Sequence, residues 1–86
     1  MEIFFDNVKK LKVLVKNHQD KYPNEDMGFV NELIDHGEEQ IGFETFCDAL
    51  IDFPITQEFY DEMLEICKHI EADIDYIHNL EKFIIK

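Results

Sequence analysis

The apolar residues of this 86-residue chain recur at helical spacing almost from end to end, and no strand-period segment competes with them. Phe4, Val8, Leu11 and Val15 follow at intervals of 4, 3 and 4, with Phe5 and Leu14 widening the stripe. That pattern predicts a first helix from about Glu2 to Asn17, with Lys9, Lys10, Lys12 and Lys16 off the apolar face. Tyr22-Pro23-Asn24 ends it in a turn. Asn24 or Asp26 can cap a second helix, whose inner face holds Phe29 or Val30, Leu33 and Ile34. Gly37 suits the left-handed position that closes it.

Glu38 and Glu39 open a third helix carrying Phe43, Phe46, Cys47 and Leu50. Gly42 weakens that helix relative to Ala by ~1 kcal/mol, which predicts close packing against a neighbour. Phe53-Pro54 stops it, because a residue before proline avoids the α region. Thr56 caps a fourth helix with the stripe Phe59, Met63, Ile66, Cys67 and Ile70. A fifth segment runs from about Asp73 to Ile84 through Ile74, Ile77 and Leu80. It is either capped by Asp73 or continuous with the fourth through a bend near Ala72. Phe83-Ile84-Ile85 is the most strand-like run, and it is too short and terminal to pair alone. The expected fold is all-α: one domain over residues 1–86, a bundle of four to five short helices joined by short loops.

Composition supports a folded core. The hydrophobic fraction is 45%, with eight Phe and three Tyr, which a disordered acidic chain does not carry. Charge is the unusual property. Between Glu25 and Asp75 stand sixteen carboxylates and a single lysine, Lys68. Like charges brought together by folding oppose the compact state. The surface is a poor match for nucleic acid or an anionic membrane, both of which need clustered cations. Its natural complement is a basic protein surface.

Few residues point to chemistry. His36, Cys47, Cys67, His69 and His78 include one Cys-x-His pair, but no second close pair to complete a zinc site. Asp73-x-Asp75 begins like a calcium loop, yet Ile77 occupies the next ligand position. The chain has no Ser, which removes the usual hydroxyl nucleophile and also the attachment point of an acyl carrier protein. Cys67 and His69 lie two apart on one helix and face apart. No glycine-rich phosphate loop is present. Neither an enzyme nor a cofactor is expected, and both cysteines read as reduced, half-buried thiols. No apolar run approaches the ~18 residues that span a bilayer. The starting Met1 predicts a complete cytoplasmic product.

Two acid stripes remain. Glu44, Asp48 and Asp52 recur at i, i+4 and i+8, while Glu58, Asp61, Glu62 and Glu65 recur at 3 and 4. Neither has a lysine placed to relieve it, and each like-charged pair weakens a helix by a few tenths of a kcal/mol, roughly. These seven carboxylates are the expected partner-binding residues. Tyr60, beside Asp61, is the candidate aromatic anchor and Tyr22 a second, with a half-buried core position as the favoured alternative for each.

The segment from Phe29 to Ile70 resembles the MafI-type immunity proteins of bacterial toxin–immunity systems. The resemblance is carried by Leu33-Ile34-Asp35-His36-Gly37-Glu38, by Phe43-Glu44-Thr45-Phe46-Cys47-Asp48-Ala49-Leu50, and by Pro54-Ile55-Thr56 with Tyr60. Phe43 departs from the small residue usual before the Glu, and the loop before Ile55 is short. The resemblance implies a small helical protein that binds and neutralises a cognate, contact-delivered toxin domain, commonly a nuclease. A second expectation is an acidic nucleic-acid mimic or antitoxin-like regulator of a basic nucleic-acid-binding protein.

Overall fold

The computed structural model describes the backbone of residues 2–21 and 25–85 and the side chains of 6–20 and 27–85. The turn at Tyr22-Pro23-Asn24, a cap from Asn24 or Asp26 and the Phe4 and Phe5 side chains lie outside the described residues. Five helices follow in order: α1 (Glu2–Lys21), α2 (Glu25–Asp35), α3 (Glu39–Leu50), α4 (Gln57–Ile70) and α5 (Ile74–His78). A 3-10 turn over Glu81–Phe83 completes the chain. The architecture is the expected all-α bundle.

The helix α1 has 20 residues, four beyond the predicted end. At ~1.5 Å per residue it extends about 30 Å, against a longest molecular dimension of 35 Å. It continues because His18 occupies the next inward position after Leu11 and Val15, and is buried like them. Polar Gln19 is held too, accepting a hydrogen bond from Asn31 Nδ2 at 2.9 Å across to α2.

The pair α2 and α3 makes the largest contact in the bundle. Met27, Val30 and Ile34 form the inner face of α2, and Phe29 turns outward at 55% exposure. Gly37 closes α2 with φ +80. Its N–H donates to the Ile34 carbonyl at 3.2 Å and the Glu38 N–H to the Leu33 carbonyl at 2.8 Å, the two bonds of a Schellman motif. One turn into α3, a Cβ on Gly42 would stand 2.8 Å from Ile34 Cγ1. This is the close approach expected of that glycine.

The helix α3 ends at Leu50, earlier than Pro54 alone requires. Ile51 has φ −57 and ψ 133, and Asp52 has φ +76. The Phe53 N–H donates to the Leu50 carbonyl at 3.0 Å. Residues 50–53 therefore form a type II turn, with Asp52 at the left-handed position that Asp tolerates. Thr56 then caps α4 as expected, its Oγ1 accepting from the Phe59 N–H at 3.0 Å.

The fifth predicted helix is not continuous. Asp73 caps α5, accepting from the Asp75 N–H at 3.0 Å, but the helix spans only five residues. Ile84 forms a parallel bridge with Ile55. Ile55 donates to the Phe83 carbonyl at 3.1 Å, and the Ile85 N–H donates to the Ile55 carbonyl at 2.7 Å. The strand-like C-terminal run thus finds a partner in the α3–α4 connection, which was not expected. Pairing there keeps Ile55 in the core at 5% exposure.

Leu11, Phe43, Phe46, Met63, Ile70 and Ile77 are fully buried at the centre, so every helix contributes to one core. The two helical glycines should respond oppositely to alanine. Around Gly28 nothing lies within 4 Å of a new Cβ, so Gly28→Ala should stabilise by about 0.5–1 kcal/mol. Gly42→Ala should instead destabilise by about 1–2 kcal/mol through overpacking against Ile34. Urea unfolding measures both; an equal gain at the two sites would contradict the close α2–α3 approach.

Candidate functional site

The fourth helix places its acids outward. Glu58, Asp61, Glu62 and Glu65 are all exposed, while Tyr60, Met63, Ile66, Cys67 and Ile70 face the core. Asp61 Oδ1 accepts from Gln57 Nε2 at 2.9 Å. Glu65 Oε1 lies 2.9 Å from His69 Nε2, an ion pair only when the imidazole is protonated. On α3, Asp48 is exposed and Glu44 half-buried. Among the described residues, none of Glu44, Asp48, Glu58, Asp61 and Glu62 lies within ion-pair distance of a cation; the lysine pair seen is Lys12–Asp35, between α1 and α2.

The two stripes do not merge into one surface. Asp52 leaves the first stripe altogether, because it sits in the type II turn beyond the end of α3. Glu44 and Asp48, together with Asp73, act electrostatically on Tyr76 of α5. Their charges, Glu44 foremost, push the Tyr76 hydroxyl above its ordinary value of 10.0. The α4 acids lie elsewhere. Glu58 and Glu62 border a cleft of about 350 Å³ between α1 and α4, whose walls include Leu14, Phe59 and Ile85.

Tyr60 is not a surface anchor. Only 5% of the residue is exposed, and its hydroxyl reaches Glu81 Oε1 at 3.4 Å. Its position puts it on the inward face one turn before Met63, where an aromatic ring yields more by burial than by exposure. Tyr22, the other proposed anchor, lies outside the described residues. Tyr76, which no sequence pattern singled out, also feels neighbouring carboxylates.

Both cysteines are free and more deeply buried than expected, each at 1% exposure. Cys67 Sγ donates to the Ala72 carbonyl at 3.4 Å beyond the end of α4. Among the described residues no group of three or more His, Cys, Asp or Glu side chains is placed to hold a metal ion. No described helix is long and apolar enough to cross a membrane.

Two further residues escaped the sequence reading. Buried His18 meets the rings of Phe46, Phe53 and Phe59 at centroid distances of 5.7, 5.9 and 6.2 Å. It joins α1 to α3, to the turn and to α4, and lies beside the cleft. Gln40 of α3 donates through Nε2 to the Ile70 and Glu71 carbonyls at 3.1 and 3.3 Å, capping the C-terminus of α4 from outside. Neither carries a local signal, because each works through residues far away in the chain.

Comparison of the chain with protein-family models, with characterised proteins and with solved structures finds no match. Its chemistry must be read from its own surface: exposed acid, an apolar cleft and inert buried thiols.

Those thiols set an alkaline limit. Burial first, then neighbouring negative charge, pushes Cys47 and Cys67 above the ordinary value of 9.0. Folding therefore favours the neutral thiol. The stability gained is whole below pH 9.0 and is lost as pH rises towards the folded values. Between pH 9.0 and its raised folded value, Cys47 alone should remove about 1.4 kcal/mol per pH unit. Urea midpoints measured across this range should fall for the parent chain and fall less steeply for Cys47→Ala. Identical slopes would show that the Cys47 thiolate is tolerated in the fold.

Proposed function

We propose that this chain is an immunity protein of the cytoplasm, which binds a cognate bacterial toxin domain through its acidic surface and performs no chemistry itself. The observation that carries the reading is the exposed acid of α3 and α4: among the described residues Asp48, Glu58, Asp61 and Glu62 have no cation within ion-pair distance, and Glu65 has only the His69 imidazole. Carboxylates left unpaired in the free protein destabilise it and are available to a basic surface. The resemblance of residues 29–70 to MafI-type immunity proteins supports the same conclusion. A nuclease domain is the favoured target, because a surface that grips phosphates is itself basic.

Occlusion of the nuclease surface needs speed more than chemistry. Complementary charge can raise association towards 10⁸ M⁻¹s⁻¹, roughly, and the effect is screened by salt. Co-expression with its cognate toxin domain should restore growth, and the purified pair should form a complex. Stopped-flow association with that domain should slow about tenfold or more between low and high salt, with dissociation changing less. Salt-independent association would contradict the electrostatic reading. Equal inhibition of several unrelated basic proteins would point instead to general nucleic-acid mimicry.

A further inference from the structure

The cleft between α1 and α4 continues past its first hollow. A second hollow of about 320 Å³ lies along the same seam and is lined by Asn7, Lys10, Glu62, Glu65 and Ile66. Glu62 belongs to both. On α4 the lining positions 58, 59, 62, 65 and 66 share one helical face, and so do 7, 10, 14, 17 and 18 on α1. The two hollows are therefore one groove along the seam of two helices. From Glu58 to Glu65 it follows about 10 Å of helix.

Its chemistry changes across its width. Leu14, Phe59 and Ile85 supply apolar walls, and Ile85 stands 58% exposed at the lip. Glu58, Glu62 and Glu65 line the α4 side at intervals of 4 and 3 residues. Among the described residues no lysine lines the first hollow, where His18 is the basic residue, and Lys10 appears only in the second.

We infer that the α1–α4 groove is the docking site for a basic amphipathic helix of the partner, with an apolar side chain seated between Leu14, Phe59 and Ile85 and with Lys or Arg side chains on Glu58 and Glu62. The inference rests on the proposed function for the identity of the partner, and on charge and shape for the site. An apolar anchor in a desolvated pocket flanked by charge is the arrangement that concentrates binding energy. The spacing of the acids matches cations on successive turns of a helix. Glu44, Asp48 and Asp73 then lie outside the contact and act only through the long-range field.

The test uses the ¹⁵N-labelled full chain and a designed helical peptide with Lys at i, i+4 and i+7 and Leu between them. Amide shifts should concentrate on the lining positions of α1 and α4 and on Ile55 and Ile85. Glu58→Lys with Glu62→Lys should weaken binding about tenfold or more, whereas Glu44→Lys with Asp48→Lys, equal in charge change, should weaken it less than about threefold. Replacing the peptide Leu by Ser should also weaken it several-fold. Equal losses from the two double reversals, shifts centred on Tyr76, or no binding would each overturn the site. Glu58→Gln with Glu62→Gln repeats the comparison should charge reversal impair folding. In cells, failure of the parent chain to protect against any candidate toxin domain would refute the toxin reading and leave the peptide result standing. Full protection by the groove variant, with the parent protective, would refute the groove and leave the toxin reading standing.

Discussion

One small apolar core has to hold together a chain of net charge −12. Every helix contributes to that core, from Leu11 and Val15 of α1 to Ile77 of α5. Fully burying one such side chain stabilises by about 1.5–3 kcal/mol, while total stability for a domain is only about 5–15 kcal/mol. Self-repulsion among the acids is therefore a substantial term. The described α4 carboxylates all sit outside the core, where water and counter-ions screen them. Burial pushes the two core thiols further towards their neutral form.

Connections are tied down to support this arrangement. Thr56 and Asp73 cap their helices, the Ile55–Ile84 bridge fastens the C-terminal run to the α3–α4 connection, and Gln40 reaches the end of α4. Glu71 follows α4 with φ +60, a conformation that glycine adopts more easily. Ala72 N–H nevertheless bonds the Cys67 carbonyl at 3.1 Å and completes that helix end. The groove lies between α1 and α4, above the bridge, so the rigid elements that close the fold also shape the concave surface.

Much of the fold was legible in the sequence because local signals and periodicity agreed. Gly37, Gly42, Thr56 and Asp73 each do what their residue type predicts. What was missed involves side chains whose role is set at a distance. His18 reads as polar and ends the apparent stripe, yet it is a core residue enclosed by Phe46, Phe53 and Phe59. Ile84 reads as the tail of a helix, yet its partner is Ile55, 29 residues earlier. The acids are arranged differently in the fold from their periodicity in the sequence. Periodicity places Asp52 on the helix of Glu44, and the type II turn removes it. Periodicity also cannot tell that Glu44 turns towards α5 while Glu62 faces α1. Tyr60, which flanks the apolar stripe beside Asp61 in the sequence, is buried more deeply than the half-buried position expected for it.

The central claim is that the surface carboxylates repel one another in the free protein and await an external cation. Urea unfolding of the isolated chain as a function of NaCl tests it most directly, since urea itself carries no charge. Raising salt from about 0.02 M to about 0.3 M shortens the screening length several-fold. The unfolding midpoint is expected to rise over that range, opposite in sign to the effect of salt on partner association. A midpoint that stays constant or falls would mean that the acids are compensated within the chain, and would contradict the claim.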